Sequence, residues 1–237
     1  EYFPVNEKEL KKVLRRINYV VCSCKNAVDF VRERVSGFKA PRLHFHYYLN
    51  ITGDKNCTDI LQRQSNPDHN ILVGNSAAPT NNHLDAFAIL KRCQVNDFNI
   101  FVPLSYGTDN KKYIEEIKKT GYLYFEDKFN PIMKFMEKEK YRSFLRSIDV
   151  AIFYHKRPQA FGNILYLLGT GAKVFIHPNQ NYNFLKGQDV FVYSIFEFDE
   201  LYKNPLTTAQ KKTNCEFVKG FTSKKKNLQN LSQIVNT

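Results

Sequence analysis

Ile71-Leu72-Val73-Gly74-Asn75-Ser76-Ala77-Ala78-Pro79-Thr80-Asn81-Asn82-His83 is the stretch that decides the fold. A short apolar run ends in Gly-Asn-Ser, and an amphipathic helix opens at Thr80 or Asn81, which together make a strand–turn–helix unit. Gly74 has no Cβ and lets a ligand approach the backbone, while the open amides and positive dipole end of the next helix suit an anion. The same residues also read as a tight turn closed by an Asn/Ser cap, so the turn by itself leaves scaffold and binding site both open.

Outward from this unit the chain alternates. Strand Ile71–Val73 leads to helix Asn81–Cys93, in which Leu84, Phe87, Ala88 and Lys91 keep a helical period. Strand Asn99–Pro103, helix Lys111–Thr120 stopped by Gly121, strand Tyr122–Phe125 and a short helix near Pro131–Phe135 follow. Helix Lys138–Ser147, strand Val150–Tyr154, helix Phe161–Leu168, strand Lys173–His177, a short helix at Tyr182–Leu185 and strand Val190–Val192 complete the series. Upstream, residues 7–17 read as helix, Tyr19–Ser23 as strand, Asn26–Arg34 as helix and Arg42–Leu49 as strand. Between the two series, Asn50 to Asn70 is polar and carries Pro67, the composition of an interdomain connection. Crossovers of this length are right-handed βαβ units, so the expected fold is α/β with a doubly wound parallel sheet, its ligands beyond the carboxyl ends of the strands.

A second turn reaches that same edge: Phe153-Tyr154-His155-Lys156-Arg157-Pro158-Gln159-Ala160-Phe161-Gly162-Asn163. A glycine in the first helical turn is unfavourable by about 1 kcal/mol relative to Ala, so Gly162 needs a reason. Amides left open to a diphosphate are one, with Arg157 adding a charged hydrogen bond; a close helix–strand contact is the other. Tyr106 ends a strand and could stack on a base or sugar, or stand as a surface aromatic; His177 and Asn179 follow the next strand on the same edge. Asp-x-Asp, Gly-x-Gly-x-x-Gly and the P-loop Gly-Lys-Ser/Thr are all absent. Diphosphate neutralisation would then fall to helix amides and Arg157, with no metal and no cofactor.

The 237 residues suffice for one large or two small domains, and 43% hydrophobic residues provide a core. No apolar run reaches the roughly 20 residues that span a bilayer. Opening with Glu1-Tyr2-Phe3-Pro4, the chain reads as the interior of a longer protein. Cys22, Cys24, Cys57, Cys93 and Cys215 are scattered; only His44 and His46 could join Cys22 and Cys24 in a metal site, so all five read as reduced thiols. The net charge of +12 is uneven. Lys8, Lys11, Lys12, Arg15 and Arg16 crowd the first helix opposite an apolar stripe of Leu10, Val13, Leu14 and Ile17, and Lys224, Lys225 and Lys226 open the last. These faces are either solvated or fitted to anionic lipid headgroups; the aromatic, zinc-finger or heptad patterns that would signal nucleic acid are absent.

Taken together, these residues resemble the second domain of a GT-B glycosyltransferase, and more narrowly the 4-alpha-L-fucosyltransferase family that includes the dTDP-Fuc4NAc:lipid II Fuc4NAc transferase. The resemblance is carried by Ile71 to Ser76, Asn81 and His83; by Val102-Pro103 with Tyr106; and by Asn110 with Tyr113-Ile114-Glu115-Glu116. Leu145-Arg146 with Asp149, and Arg157 with Gln159 and Gly162, extend it.

The resemblance implies a GT-B architecture in three parts. Residues 1–66 would end a first, acceptor-side Rossmann-like domain and its linker, 67–203 would be the Rossmann-like donor domain, and 204–237 a helical tail returning to the first. It implies inverting transfer of 4-acetamido-4,6-dideoxygalactose (Fuc4NAc) from dTDP to a polyprenyl-diphosphate-linked saccharide, as in enterobacterial common antigen synthesis. The setting would be cytoplasmic, peripheral on the inner face of the membrane, with no nucleic-acid partner. Gly74, Asn75, Ser76, Asn81, His83, Tyr106, Arg157, Gln159, Phe161, Gly162, Asn163 and Asn179 are the expected donor-binding residues. The catalytic base is expected outside this segment. Gln159 and Leu167 occupy the positions of the Glu-x7-Glu pair of many retaining GT-B enzymes, so an acidic ribose clamp is missing. A GT-B transferase using another dTDP-, UDP- or GDP-sugar for capsule or lipopolysaccharide, and a non-catalytic nucleotide- or partner-binding module, are the alternatives.

Overall fold

A near-continuous apolar stretch buried on both faces is what a central parallel strand requires, and two such stretches meet at the middle of this protein. The computed structural model describes residues 7–22, 25–44, 57–61, 69–95 and 98–236. The chain forms two compact units, Glu1–Asn50 with Gly220–Thr237, and Ile51–Lys219.

In the smaller unit, α1 (Glu7–Arg15), β1 (Val20–Cys22), α2 (Lys25–Arg34) and β2 (Arg42–His44) follow one another, with β1 parallel to β2 and Val20 opposite Arg42. A small core of Val28, Val35, Phe38 and Ala40 takes Leu14 and Ile17 against it. Leu10 and Val13, expected in the same buried stripe, are 43% and 58% exposed, because that core reaches only the end of α1. The strand expected over Arg42–Leu49 is described only to His44, and Ser23, Cys24 and His46 lie outside the described residues.

The larger unit contains α3 (Cys57–Leu61), β3 (His69–Val73), α4 (His83–Arg92), β4 (Phe98–Pro103), α5 (Lys111–Phe125) and β5 (Phe129–Ile132). It continues through α6 (Lys138–Arg146), β6 (Val150–Phe153), α7 (Phe161–Gly169), β7 (Lys173–Ile176), α8 (Gln180–Lys186), β8 (Tyr193–Ser194) and α9 (Phe198–Leu201). α10 (Thr208–Phe221) and α11 (Lys224–Val235) end the chain, α11 lying against β2 in the smaller unit. All strand pairs are parallel, in the order β5-β4-β3-β6-β7-β8. The order reverses between β3 and β6, where Leu72 pairs with Ala151, and it is beyond the strand ends at such a point that open parallel sheets hold their ligands. The residues of β6 and β7, and Ile71–Val73 of β3, are all buried.

Four local expectations are corrected. Gly121 does not stop α5 but lies inside it, because a side chain there would collide with the ring of Phe129. Tyr122–Phe125 is therefore the last turn of that helix and not a strand, and the next strand is β5, over part of the segment read as a short helix. The edge strand expected at Val190–Val192 forms at Tyr193–Ser194. Cys57 and Cys215, expected as thiols, form a disulfide with Cα atoms 5.9 Å apart, within the usual span.

Candidate functional site

The β3–α4 turn is built around one side-chain amide. Asn81, 1% exposed, closes a 3-10 turn (Pro79–Asn81), and Asn82 in the left-handed region separates it from α4, which starts at His83 and not at Thr80 or Asn81. The Asn81 Oδ1 accepts from the Asn75 amide (2.9 Å) and from His155 Nε2 (2.8 Å). Its Nδ2 donates to the Ala78 carbonyl (2.9 Å) and to Ser76 Oγ (3.2 Å). Since Oδ1 can only accept, His155 carries its proton on Nε2. Gly74 has φ +70°, and a Cβ there would lie 2.6 Å from Asn81 Oδ1 and 3.0 Å from His83 Nε2. The space beside Gly74 is thus filled by the protein's own amide and imidazole.

Two buried imidazoles support this hub. His83 is fully buried, its Nδ1 2.9 Å from the Tyr113 hydroxyl; burial first, then the neighbouring His155, push its pKa down to about 3. Burial, with Arg157 nearby, lowers His155 to about 4. Both rings are neutral at physiological pH.

Above the hub, the β3–α4 and β6–α7 loops are joined side chain to side chain. Thr80 Oγ1 donates to Gln159 Oε1 (2.8 Å), and Gln159 Nε2 donates to Asn75 Oδ1 (3.3 Å). Asn75 Nδ2 in turn donates to the hydroxyl of Tyr106, which is half exposed beyond β4. Asn82 Nδ2 donates to the Tyr154 carbonyl (2.9 Å), a further link. Asn179 caps α8 through Oδ1, and its Nδ2 donates to the carbonyls of His155 (2.6 Å) and Arg157 (3.3 Å).

The N-terminus of α7 is open. Its cap residue Ala160 is left-handed (φ 57°) and has no side-chain hydrogen bond to offer, and Gly162 is exposed in the first turn. The Arg157 guanidinium is exposed, held among the described residues only by a 3.4 Å contact with Thr80 Oγ1. Asn163 donates to the Tyr141 hydroxyl (2.9 Å), and Phe161 packs edge-on against Phe184.

The twelve expected residues therefore sort by position. Asn75, Tyr106, Arg157, Gln159, Gly162 and Asn163 are exposed or half-buried on the loops and helix start beyond the strand ends, with Phe161 half-buried among them. Ser76, Asn81, His83 and Asn179 are buried, and Gly74 fits against them. Thr80, Asn82, His155 and Tyr141 belong to the same assembly and were not singled out from sequence; a His directly after an apolar strand was the available signal for His155. Leu167 is fully buried and cannot clamp a ribose.

The fold is that of the GT-B glycosyltransferases. Sucrose-phosphate synthase from Thermosynechococcus elongatus matches with a TM-score of 0.73 at 11% identity, over 96% of this chain and 60% of its own. A glycosyltransferase from Rickettsia africae gives 0.69 at 14% identity, over 95% and 66%. A UDP-forming α,α-trehalose-phosphate synthase from Burkholderia xenovorans gives 0.66 at 11%, over 98% and 65%. The chain thus spans under two thirds of the length of the trehalose-phosphate synthases it matches, 62–65%. It belongs to the family described as 4-alpha-L-fucosyltransferase, glycosyl transferase group 56, which it matches over residues 9–219.

Proposed function

We propose that this chain is the donor-binding part of an inverting glycosyltransferase that moves Fuc4NAc from dTDP-Fuc4NAc to a polyprenyl-diphosphate-linked saccharide in surface polysaccharide synthesis. The observation that carries the reading is the exposed Arg157 beside the uncapped start of α7, at the strand-order reversal of a parallel sheet. In the transfer, an acceptor hydroxyl oxygen bonds to the anomeric carbon as that carbon's bond to the dTDP oxygen breaks. The hydroxyl proton passes to a base, and the electron pair stays on the diphosphate. The α7 amides and Arg157 stabilise that developing charge. Asn75, Gln159 and Tyr106 line the donor, while Ser76, Asn81, His83 and Asn179 hold the loops in place. The base comes from outside this segment.

The grouping of residues 220–237 with 1–50 supports a tail that returns to an acceptor-side domain. These two stretches carry 13 Lys and Arg against five Asp and Glu, and Leu10 and Val13 are exposed on α1, which supports peripheral attachment to an anionic inner membrane face. Among the described residues no helix is long and apolar enough to cross a membrane.

Calorimetry with dTDP, UDP and GDP tests the donor side, and donor screening with the full-length protein and a lipid-linked acceptor tests the transfer. Binding of dTDP ahead of the other two, and transfer from dTDP-Fuc4NAc by the full-length protein only, are the expected results. UDP or GDP preference reassigns the donor. No nucleotide binding removes the transferase reading in favour of an interaction module, and turnover by this chain alone removes the division of labour.

A further inference from the structure

Tyr106 is 49% exposed, yet it is pinned at both ends. Its carbonyl accepts from the Ala77 amide (2.6 Å). The next residue, Gly107 (φ +107°), presses on the β3–α4 turn so closely that a Cβ there would lie 2.9 Å from the Ala78 nitrogen and 3.0 Å from Ser76 Oγ. At the far end of the ring the hydroxyl accepts from Asn75 Nδ2 (3.3 Å). Backbone and hydroxyl are therefore held in one place before any ligand arrives, which lowers the cost of binding one.

That hydroxyl is the last member of a hydrogen-bond chain with a single sense. The Arg157 guanidinium can only donate, and it donates to Thr80 Oγ1 (3.4 Å). Thr80 gives its own proton to Gln159 Oε1 (2.8 Å). Gln159 then turns its Nε2 to Asn75 Oδ1 (3.3 Å), and Asn75 turns its Nδ2 to Tyr106. Each amide spends its carbonyl on the residue before it and an N–H on the residue after it. Tyr106 receives a proton from the chain and keeps its own. Among the described residues, no group other than Asn75 is hydrogen-bonded to this hydroxyl.

The polarity of the leftover groups selects the ligand. Arg157 at one end of the chain, Tyr106 at the other and the open amides of α7 next to Gln159 are all donors. Their complement is a molecule that presents oxygens able only to accept. Phosphate oxygens are the strongest of these because they are charged, and the carbonyls of a pyrimidine are neutral examples.

We propose that Tyr106 binds the sugar nucleotide through its hydroxyl, as donor to an acceptor oxygen of the phosphates or the base, and that Thr80 and Gln159 are positioning residues that keep its proton free. The identity of the ligand rests on the transferase reading. With the Thr80 hydroxyl removed, Gln159 has no proton to accept there, and both amides can turn over. Asn75 would then offer its carbonyl to Tyr106 and consume the proton meant for the ligand.

Isothermal titration with dTDP, with thymidine and inorganic pyrophosphate as competitors, tests this on Tyr106→Phe, Thr80→Val, Thr80→Ser and the Tyr106→Phe/Thr80→Val double variant. Phenylalanine keeps the ring and loses only the oxygen. Tyr106→Phe therefore weakens dTDP by about tenfold and, at an exposed position, melts as the parent does. Thr80→Val weakens dTDP by about threefold, Thr80→Ser restores it, and the double variant is no weaker than Tyr106→Phe alone. A matching loss for pyrophosphate assigns the oxygen to the phosphates, and one for thymidine assigns it to the base. Equal dTDP affinity of Tyr106→Phe and the parent overturns the proposal and leaves the transferase reading in place. Equal losses for both competitors mark a merely structural ring and also overturn it, and additive losses in the double variant overturn the positioning role of Thr80. A parent chain that binds no dTDP removes the transferase reading, and the proposal falls with it.

Discussion

Replacing Gly74 by Ala tests whether the β3–α4 turn is held by its buried amide. At φ +70° an alanine is strained by about 1–2 kcal/mol. Its Cβ would also lie 2.6 Å from Asn81 Oδ1 and 3.0 Å from His83 Nε2. Neither neighbour can swing aside, since Asn81 is fixed by four hydrogen bonds and His83 by Tyr113. Displacing Asn81 enough to relieve the clash breaks at least one bond to a buried partner, at about 1–3 kcal/mol. The sum is roughly 2–5 kcal/mol, which lowers the melting temperature of a chain this size by about 5–15 °C. Gly220→Ala is the control: it has no atom within 4 Å of the new Cβ, lies within α10, and is expected to stabilise by about 0.5–1 kcal/mol. Calorimetric melting and dTDP titration read the pair. The reasoning fails if Gly74→Ala melts within about 2 °C of the parent with dTDP affinity intact.

Arg157→Ala removes an exposed guanidinium, so melting should not move while dTDP binding weakens by about 10–100-fold; an equal affinity in isothermal titration contradicts its role. His83 and His155 titrate at about 3 and about 4 in the fold against an ordinary 6.5, so the unfolded chain takes up more protons between those values. Their stability contribution is full above pH 6.5 and declines as pH falls, by about 2 kcal/mol for each ring at pH 5. Denaturant midpoints from pH 7.5 to 5 should show this loss, and His83→Gln should keep only part of it; a His83→Gln slope equal to the parent's contradicts the buried neutral ring. Cys57→Ser should lower the melting temperature of the oxidised chain, since the 158-residue separation implies about 3–5 kcal/mol of loop constraint, and dithiothreitol should erase the difference. Alkylation of both sulfurs in oxidised protein would count against the bridge.

The sequence alone determined the parallel α/β sheet and the two loops at its reversal point. The runs Ile71–Val73 and Val150–Phe153 are too apolar for anything but central strands, and the crossovers between them leave one handedness. Gly121 misled because a helix-stopping glycine and one that admits a neighbouring ring look alike within a window of sequence; Phe129, eight residues on, decides. The same holds at the site. That Gly74 must be glycine was legible, but the reason was not: its neighbours are Asn81 and, through that amide, His155, 74 positions further along. Thr80 with Gln159 and Asn82 with Tyr154 are contacts of the same kind, 79 and 72 positions apart. Periodicity and turn chemistry are written in neighbouring residues, so they can be read from the chain. Which polar atom fills a buried gap depends on residues that meet only when the sheet has formed, and only the tertiary structure decided that.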